Sequence, residues 1–184
     1  MAFSLGWIVL VCCGVIIAGE ELNSTAWPCN AITPLEGVTV NALIGTWFLV
    51  ETIQLLPNPN PRRCSGIILS GNTTQNLVKS GFSFPQPNGG IEFENFTLAA
   101  ISPSVWDEPD VGLTTVVVDL TNSSLVLSSC FRSFEYQWTG VFGRQREMDV
   151  DQLDGIHQRL NGAEIAYVSS AVREETMHCR SSEE

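Results

Sequence analysis

The residues that could carry out acid–base catalysis are few in this 184-residue chain. Histidine, whose side chain titrates near neutral pH, occurs only at His157 and His178. His157 falls in a predicted helix and His178 directly precedes Cys179, so neither lies in a predicted strand. The sequence also lacks a Gly-x-Ser-x-Gly nucleophile motif, a phosphate-binding glycine loop and a His-Glu-x-x-His zinc motif. We therefore expect no enzymatic activity, and we interpret both histidines as surface or hydrogen-bonded structural residues.

The acidic run at residues 149–155, DVDQLDG, has the outline of a calcium-binding loop. Such a loop needs Asp or Asn at its fifth position, Gly at its sixth and Glu at its twelfth. Counted from Asp149, these positions hold Leu153, Asp154 and Leu160, so we predict no metal site. Apolar residues recur at helical spacing instead, and Asp149 is suited to cap the first turn. We predict a helix over residues 149–161, with an apolar stripe made of Val150, Leu153, Ile156 and Leu160.

The first nineteen residues contain no charged side chain and are mostly apolar. They end in the small residues Ala18 and Gly19, and Glu20 follows. This pattern predicts a secretory signal peptide over residues 1–19, although no Lys or Arg precedes the apolar run. A transmembrane anchor is the alternative, but the run is short for a span of about twenty residues. No other stretch is apolar enough to span a membrane, so we expect a secreted, extracellular protein after cleavage.

The chain has six cysteines, of which Cys12 and Cys13 lie within the predicted signal peptide. An even number remains, which in a secreted chain indicates two disulfides. Their separations suit no zinc site, which needs closely paired ligands. Three pairings are possible, and the spacing does not select among them. The remaining cysteines are Cys29, Cys64, Cys130 and Cys179.

Four Asn-x-Ser/Thr sequons agree with secretion. They begin at Asn23, Asn72, Asn95 and Asn122, and we expect only some of them to carry glycan. Asn72 and Asn122 fall in predicted turns. Asn95 is doubtful because strand alternation places it on the same face as Ile91 and Phe93. Full occupancy at Asn95 would require a bulge there or outward-facing Ile91 and Phe93.

The chain is acidic, with a formal net charge of −11 and a single lysine, Lys79. An acidic surface without a basic run argues against nucleic acid and anionic membranes as partners. We interpret the charge as a source of solubility in an extracellular fluid.

Between residues 43 and 144, apolar and β-branched runs alternate with turn-forming segments. Residues 20–42 read as an N-terminal arm, and the segment 102–112, SPSVWDEPDVG, reads as irregular. The order of elements predicts an antiparallel sandwich or barrel followed by one helix and a last strand. The predicted strands are residues 43–53, 64–69, 75–84, 91–101, 113–120, 125–131, 136–144 and 164–169.

Three motifs in this order resemble those of the lipocalins, most closely the apolipoprotein D and arthropod bilin-binding group. The first is Gly45-Thr46-Trp47, which matches the family's Gly-x-Trp motif on the first strand. The second is residues 117–120, VVDL, leading into a strand that ends at Cys130; the family has Thr and Tyr where VVDL has its second Val and its Leu. The third is residues 141–144, VFGR, which match the last strand and its Arg.

The resemblance implies an all-β, eight-stranded antiparallel up-and-down barrel over residues 43–179, with the helix packed outside and a tail at 180–184. It implies disulfides Cys29–Cys130 and Cys64–Cys179. It also implies that Trp47 plugs the closed end, that Arg144 stacks on it, and that Gly45 lets the chain bend there. The family has another strand within 102–112, so we expect that wall of the barrel to be short or irregular.

By resemblance, the function is that of a carrier for a small hydrophobic molecule such as a pigment, sterol, fatty acid or retinoid, with no further cofactor. A lipocalin-like protein-interaction module with a filled cavity is the alternative, and an enzyme on the same barrel is a weaker one. The oligomeric state stays open. We predict that Phe82, Phe84 and Phe96 line the pocket, with Trp106 near its mouth. These aromatics could instead fill the barrel as ordinary core.

Overall fold

A computed structural model of the protein describes residues 32–54, 64–71, 78–83, 91–109, 112–131, 137–163, 165, 170–173 and 179. Within these ranges it contains two helices and ten strands. The helices are α1 (Val40–Leu43) and α2 (Val150–Gly162). The strands are β1 (Gly45–Gln54), β2 (Gly66–Ser70), β3 (Val78–Ser83), β4 (Glu92–Thr97), β5 (Ala99–Ser102), β6 (Val105–Glu108), β7 (Leu113–Leu120), β8 (Ser124–Phe131), β9 (Gln137–Gly143) and β10 (Ala171–Arg173).

The strands form one antiparallel sheet in the order β4-β3-β2-β1-β9-β8-β7-β6-β5, and β10 pairs with β1. The two ends of this path, β4 and β5, are consecutive in the chain and are separated only by Leu98. The sheet must therefore curl until its two ends meet, as a barrel does. β4 pairs with β3 and β5 pairs with β6, so the bend at Leu98 joins both ends.

The predicted strand 91–101 thus forms two arms of one bent strand. With β4 and β5 counted together, the path has the eight strands of the predicted barrel. The segment 102–112, read from sequence as irregular, contains the four-residue strand β6. Pro103 and Pro109 bound it on both sides, and a Pro cannot donate to a strand ladder. This explains why β6 is short and why its sequence signal is weak.

Two hydrophobic clusters lie on opposite faces of the sheet. The inner cluster fills the barrel and includes Trp47, Trp106 and Phe142. The outer cluster lies between the sheet and helix α2. It includes Val50 and Val118 from the strands and the helix residues Leu153, Ile156 and Leu160. The helix therefore packs outside the barrel, as predicted.

Helix α2 begins as its sequence predicts. The side chain of Asp149 accepts a hydrogen bond of 2.7 Å from the backbone N–H of Gln152, which caps the first turn. Leu153, Ile156 and Leu160 are buried, but Val150, predicted in the same stripe, is 59% exposed. Val150 is the first helical residue, and it belongs to neither hydrophobic cluster.

The N-terminal arm is ordered against the barrel over its last residues. Ile32 belongs to the outer cluster, and the N–H of Leu35 donates to the carbonyl of Val117 at 2.9 Å. α1 lies at the end of this arm. At the other end of the chain, Ile165 lies in no strand, although it falls in the predicted strand 164–169. After helix α2, the described strand that pairs with β1 is β10, which begins at Ala171.

Several sequence predictions fall outside the described residues: the signal peptide, Cys29, Asn23, Asn72, Phe84, His178 and the tail 180–184. In the part of the chain that the structure describes, no helix is both long and apolar enough to cross a membrane.

Candidate ligand-binding site in the barrel interior

One end of the barrel is closed by Trp47 and Arg144. The Trp47 side chain is completely buried. The guanidinium carbon of Arg144 lies 3.4 Å from the centroid of the Trp47 ring, which is a cation–π contact. Burial lowers the pKa of Arg144 below its usual value. Its side chain donates hydrogen bonds of 3.0 to 3.4 Å to the carbonyl oxygens of Ala42, Ile44 and Thr46.

Gly45 is required at this end for two reasons. Its backbone has φ of +118°, a conformation that residues with a β-carbon rarely adopt. A β-carbon there would also lie 2.6 Å from Nη1 of Arg144. The Trp47 indole N–H donates to the carbonyl of Leu43 at 2.7 Å, at the end of α1. Gly45, Trp47 and Arg144 therefore form one structural unit.

The side chains inside the barrel differ in exposure along its length. Trp47, Leu125 and Phe142, at or near the Arg144 end, are buried. At the opposite ends of β7, β8 and β9, Leu113, Phe131 and Trp138 also face inward by strand alternation but are only partly buried. The inward-facing side chains are therefore fully buried near Trp47, and some of them are partly exposed toward the opposite ends of these strands.

An ion pair lies inside the barrel. Lys79 faces inward because its cross-strand partner Leu69 belongs to the inner cluster. Glu108 faces inward because Trp106, two residues earlier on β6, does so. Nζ of Lys79 lies 2.5 Å from Oε1 of Glu108, and the side chains are 13% and 1% exposed. The chain's one lysine is therefore almost enclosed by the barrel.

One oxygen of the Glu108 carboxylate is fully satisfied and the other is not. Oε1 accepts from Nζ of Lys79 and from the Thr115 hydroxyl at 3.1 Å. The Thr115 hydroxyl lies in turn 2.8 Å from that of Ser129. Oε2 is buried and has no hydrogen-bond partner among the described residues. A buried acceptor without a donor is unfavourable by about 1–3 kcal/mol, and by more when it is charged.

Phe96 lies beside this ion pair. Nζ of Lys79 is 4.8 Å from the centroid of the Phe96 ring. Phe96 pairs with Lys79 across β3 and β4, and both face inward. This part of the barrel interior thus combines apolar walls with the Phe96 ring and a carboxylate oxygen that lacks a partner among the described residues. This combination suits a largely apolar molecule with a polar group.

Comparison with solved structures identifies the architecture. The structure is similar to that of lobster apocrustacyanin A1, with a TM-score of 0.57 and 15% sequence identity over 79% of this chain and 91% of that chain. It is also similar to the allergen Per a 4 from cockroaches, with a TM-score of 0.61 and 10% identity over 76% and 88% of the two chains.

The chain has the lipocalin fold. These two structures come from a lobster and from cockroaches. No protein-family profile matches the sequence, and no curated protein sequence does.

Three of the four predicted pocket residues are described, and they lie in different parts of the lipocalin barrel. Phe96 lies inside it. Trp106 is also inside, but it is fully buried, and its indole N–H donates to the carbonyl of Pro103 at 3.0 Å. It is therefore a core residue of the barrel and does not lie at a mouth. Phe84 lies outside the described residues.

Phe82, the fourth predicted residue, packs on the outer face of the lipocalin barrel. Its ring centroid lies 5.9 Å from that of Phe48 and 6.3 Å from that of Phe93. A β-carbon on Gly66 would lie 2.4 Å from the Phe82 ring, so the ring occupies the space that this glycine leaves. Side chains alternate between the two faces of a strand, so Phe48 faces outward because Trp47 faces inward. Phe82 packs against Phe48 and therefore lies on the same outer face.

The sequon residues among the described positions are exposed. Asn95 faces outward with Phe93, which is 55% exposed, and Ile91 is 49% exposed. The Asn95 side-chain oxygen accepts a hydrogen bond of 2.7 Å from the Ser80 hydroxyl. Ile91 and Phe93 therefore face outward, which is one of the two arrangements that full glycosylation at Asn95 requires. Asn122 lies in the exposed turn between β7 and β8.

The disulfide Cys64–Cys179 is present, as the family resemblance implies. Cys130 is also disulfide-bonded. Its predicted partner, Cys29, lies outside the described residues. The first bridge holds Cys179 beside Cys64, two residues before β2 begins.

His157 is a hydrogen-bonded structural residue. Its Nε2 lies 2.5 Å from Oε1 of Glu51, which is buried under helix α2. The register of β1 shifts between Leu49 and Glu51, so Val50 and Glu51 both reach the helix side. No cluster of His, Cys, Asp and Glu that could hold a metal ion occurs in the described ranges.

Proposed function

We propose that the protein is a secreted carrier that binds a small hydrophobic molecule inside its barrel. The observation that carries this proposal is the gradient of burial inside the barrel. Trp47 and Arg144 seal one end, whereas inward-facing Phe131 and Trp138 remain partly exposed toward the other. Apolar burial of the ligand would supply affinity at about 25 cal/mol per Å² removed from water. The similar structures support a carrier because they share this fold.

Secretion is supported by two features of the chain. The apolar segment 1–19 has the composition of a signal peptide. Disulfides such as Cys64–Cys179 form and persist in oxidising compartments. The exposed sequon at Asn122 is in keeping with passage through such a compartment, and we expect it to be glycosylated together with Asn72.

A titration of Trp fluorescence with representative pigments, sterols, retinoids and fatty acids tests the carrier. Trp138 lies inside and is partly exposed, so a ligand there would quench it. We expect saturable quenching that Phe96→Ser weakens roughly tenfold or more, because the phenyl contact is lost. Phe93→Ser is the matched control on the outer face of β4 and should leave binding unchanged. Absence of binding for all four classes would contradict the carrier.

A protein-interaction module is the second candidate, because the outer face of β4 is apolar and exposed. Ile91 and Phe93 lie there side by side in the alternating pattern, next to Phe82 and Phe48. Exposed apolar patches often mark interaction surfaces. The Asn95 sequon lies on the same face. Peptide mapping with and without glycosidase therefore discriminates the candidates, since a glycan at Asn95 would cover this surface.

A further inference from the structure

The Lys79–Glu108 pair is the feature of the barrel interior that apolar binding does not explain. Replacing a buried ion pair with apolar residues of similar volume is often neutral or stabilising. A barrel that only had to enclose a hydrocarbon would be expected to have apolar side chains at both positions. Here the pair lies 2.5 Å apart, next to the Phe96 ring, and Oε2 of Glu108 lacks a donor.

We propose that the ligand of this barrel presents a hydrogen-bond donor, a hydroxyl or an N–H group, to Oε2 of Glu108, and that the barrel discriminates against ligands with a carboxylate. This inference rests on the proposed carrier function. It narrows the ligand from hydrophobic molecules in general to those with a neutral donor group.

The geometry favours a donor for three reasons. Oε2 is a carboxylate oxygen and can only accept a hydrogen bond in an ion pair with Lys79. The two donors near the carboxylate, from Lys79 and Thr115, are both directed to Oε1. The Thr115 hydroxyl also lies within hydrogen-bond distance of Ser129, so neither of these two groups is directed at Oε2.

A ligand with a carboxylate group would bind unfavourably next to Glu108. To reach the cation it would have to share or displace Glu108, which already holds Nζ of Lys79 at 2.5 Å. It would also place a second negative charge beside a carboxylate that is 1% exposed. Like charges in a site shielded from water repel strongly. A neutral hydroxyl or N–H group at Oε2 leaves the ion pair intact.

Matched ligand pairs test the inference. Retinol is compared with retinoate, and a long-chain alcohol with the fatty acid of equal length, by fluorescence titration of the full mature protein. We expect the alcohol to bind at least about tenfold more tightly in each pair, because a site with an unpaired acceptor rejects partners that cannot satisfy it. Asp107→Asn is the matched control. Asp107 is the outward neighbour on β6 and bonds Thr114, so the preference should persist.

Glu108→Gln should reverse the preference, because it removes the negative charge and leaves the Lys79 cation for a carboxylate ligand. The double variant Lys79→Met/Glu108→Gln replaces the pair with neutral side chains of similar size, and it should bind both members of each pair within about threefold. The double variant also tests the inference if Glu108→Gln alone fails to fold.

These titrations distinguish failure of the ligand-group inference from failure of the carrier function. Equal or tighter binding of the carboxylates by the unmodified protein would overturn the inference and leave the carrier function standing; water would then satisfy Oε2. Binding of neither member of any pair would overturn both.

Discussion

Arg144 and Lys79 each lie on an aromatic ring that faces into the barrel. Arg144 lies 3.4 Å from the ring centroid of Trp47, and Lys79 lies 4.8 Å from that of Phe96. The acceptors of Arg144 are backbone carbonyls, and Gly45 leaves just enough room for its guanidinium. Lys79 instead holds a carboxylate that keeps one oxygen without a partner. Satisfied contacts mark a structural site, whereas an unsatisfied buried group indicates a place for a ligand.

The largest expected effect is at the closed end. Trp47→Ala should lower the free energy of unfolding by about 3–5 kcal/mol, because it removes a fully buried aromatic and leaves a cavity. Trp138→Ala, in the partly exposed part of the interior, should cost clearly less. Urea unfolding of both variants with disulfides intact measures the difference. Equal losses would mean that the two regions are packed alike and that the interior is uniformly filled.

Breaking the ion pair at one partner should cost nearly as much. Lys79→Met leaves the Glu108 charge buried and uncompensated, which costs about 3–5 kcal/mol in comparable pairs. The double variant Lys79→Met/Glu108→Gln should recover most of this stability. If the double variant is as unstable as the single one, Glu108 is not the partner that makes Lys79 important.

A smaller effect is expected for Arg144. Arg144→Ala should cost about 1–2 kcal/mol, the size of a desolvated cation–π contact, and it also removes the hydrogen bonds to the carbonyls of Ala42 and Ile44. A double-mutant cycle with Trp47→Ala should give a coupling energy of about 1 kcal/mol or more. Additive losses would show that the stacking of these two side chains contributes nothing to stability.

The smallest effect is expected in helix α2, which lies outside both the Arg144 and the Lys79 regions and serves as a reference. Gly155→Ala in helix α2 should stabilise the protein by about 0.5–1 kcal/mol, because Ala has the higher helix propensity. A β-carbon there would meet only Nη1 of Arg159, at an ordinary 3.6 Å. Ligand binding should not change. A loss of stability would mean that α2 packs more tightly on the barrel than its spacing indicates.

The helix and most strands could be predicted because their signals are local. The Asp149 cap and the spacing of Leu153, Ile156 and Leu160 require no knowledge of the rest of the chain. β6 was harder, because its four residues, VWDE, lie between prolines and include two acids. Glu108 is buried inside the barrel beside Lys79 from β3, and this contact cannot be read from the local sequence.

The candidate site could be predicted only in part for the same reason. Strand alternation from Asn95 placed Phe96 inside. Strand alternation alone could not place Phe82, because the register between β3 and β2 decides which face of β3 points into the barrel. That register puts Phe82 opposite Gly66 on the outside. The single lysine was a visible signal, but its partner lies twenty-nine residues away along the chain in a segment read as irregular.

Native mass spectrometry of the protein purified from its own source shows whether the barrel carries a ligand. We expect a mass that exceeds that of the glycosylated chain by one small molecule, which organic solvent releases and which is apolar with a hydroxyl or N–H group. Protein that carries no such molecule, and that takes up none of the alcohols or pigments offered, would contradict the proposed carrier function.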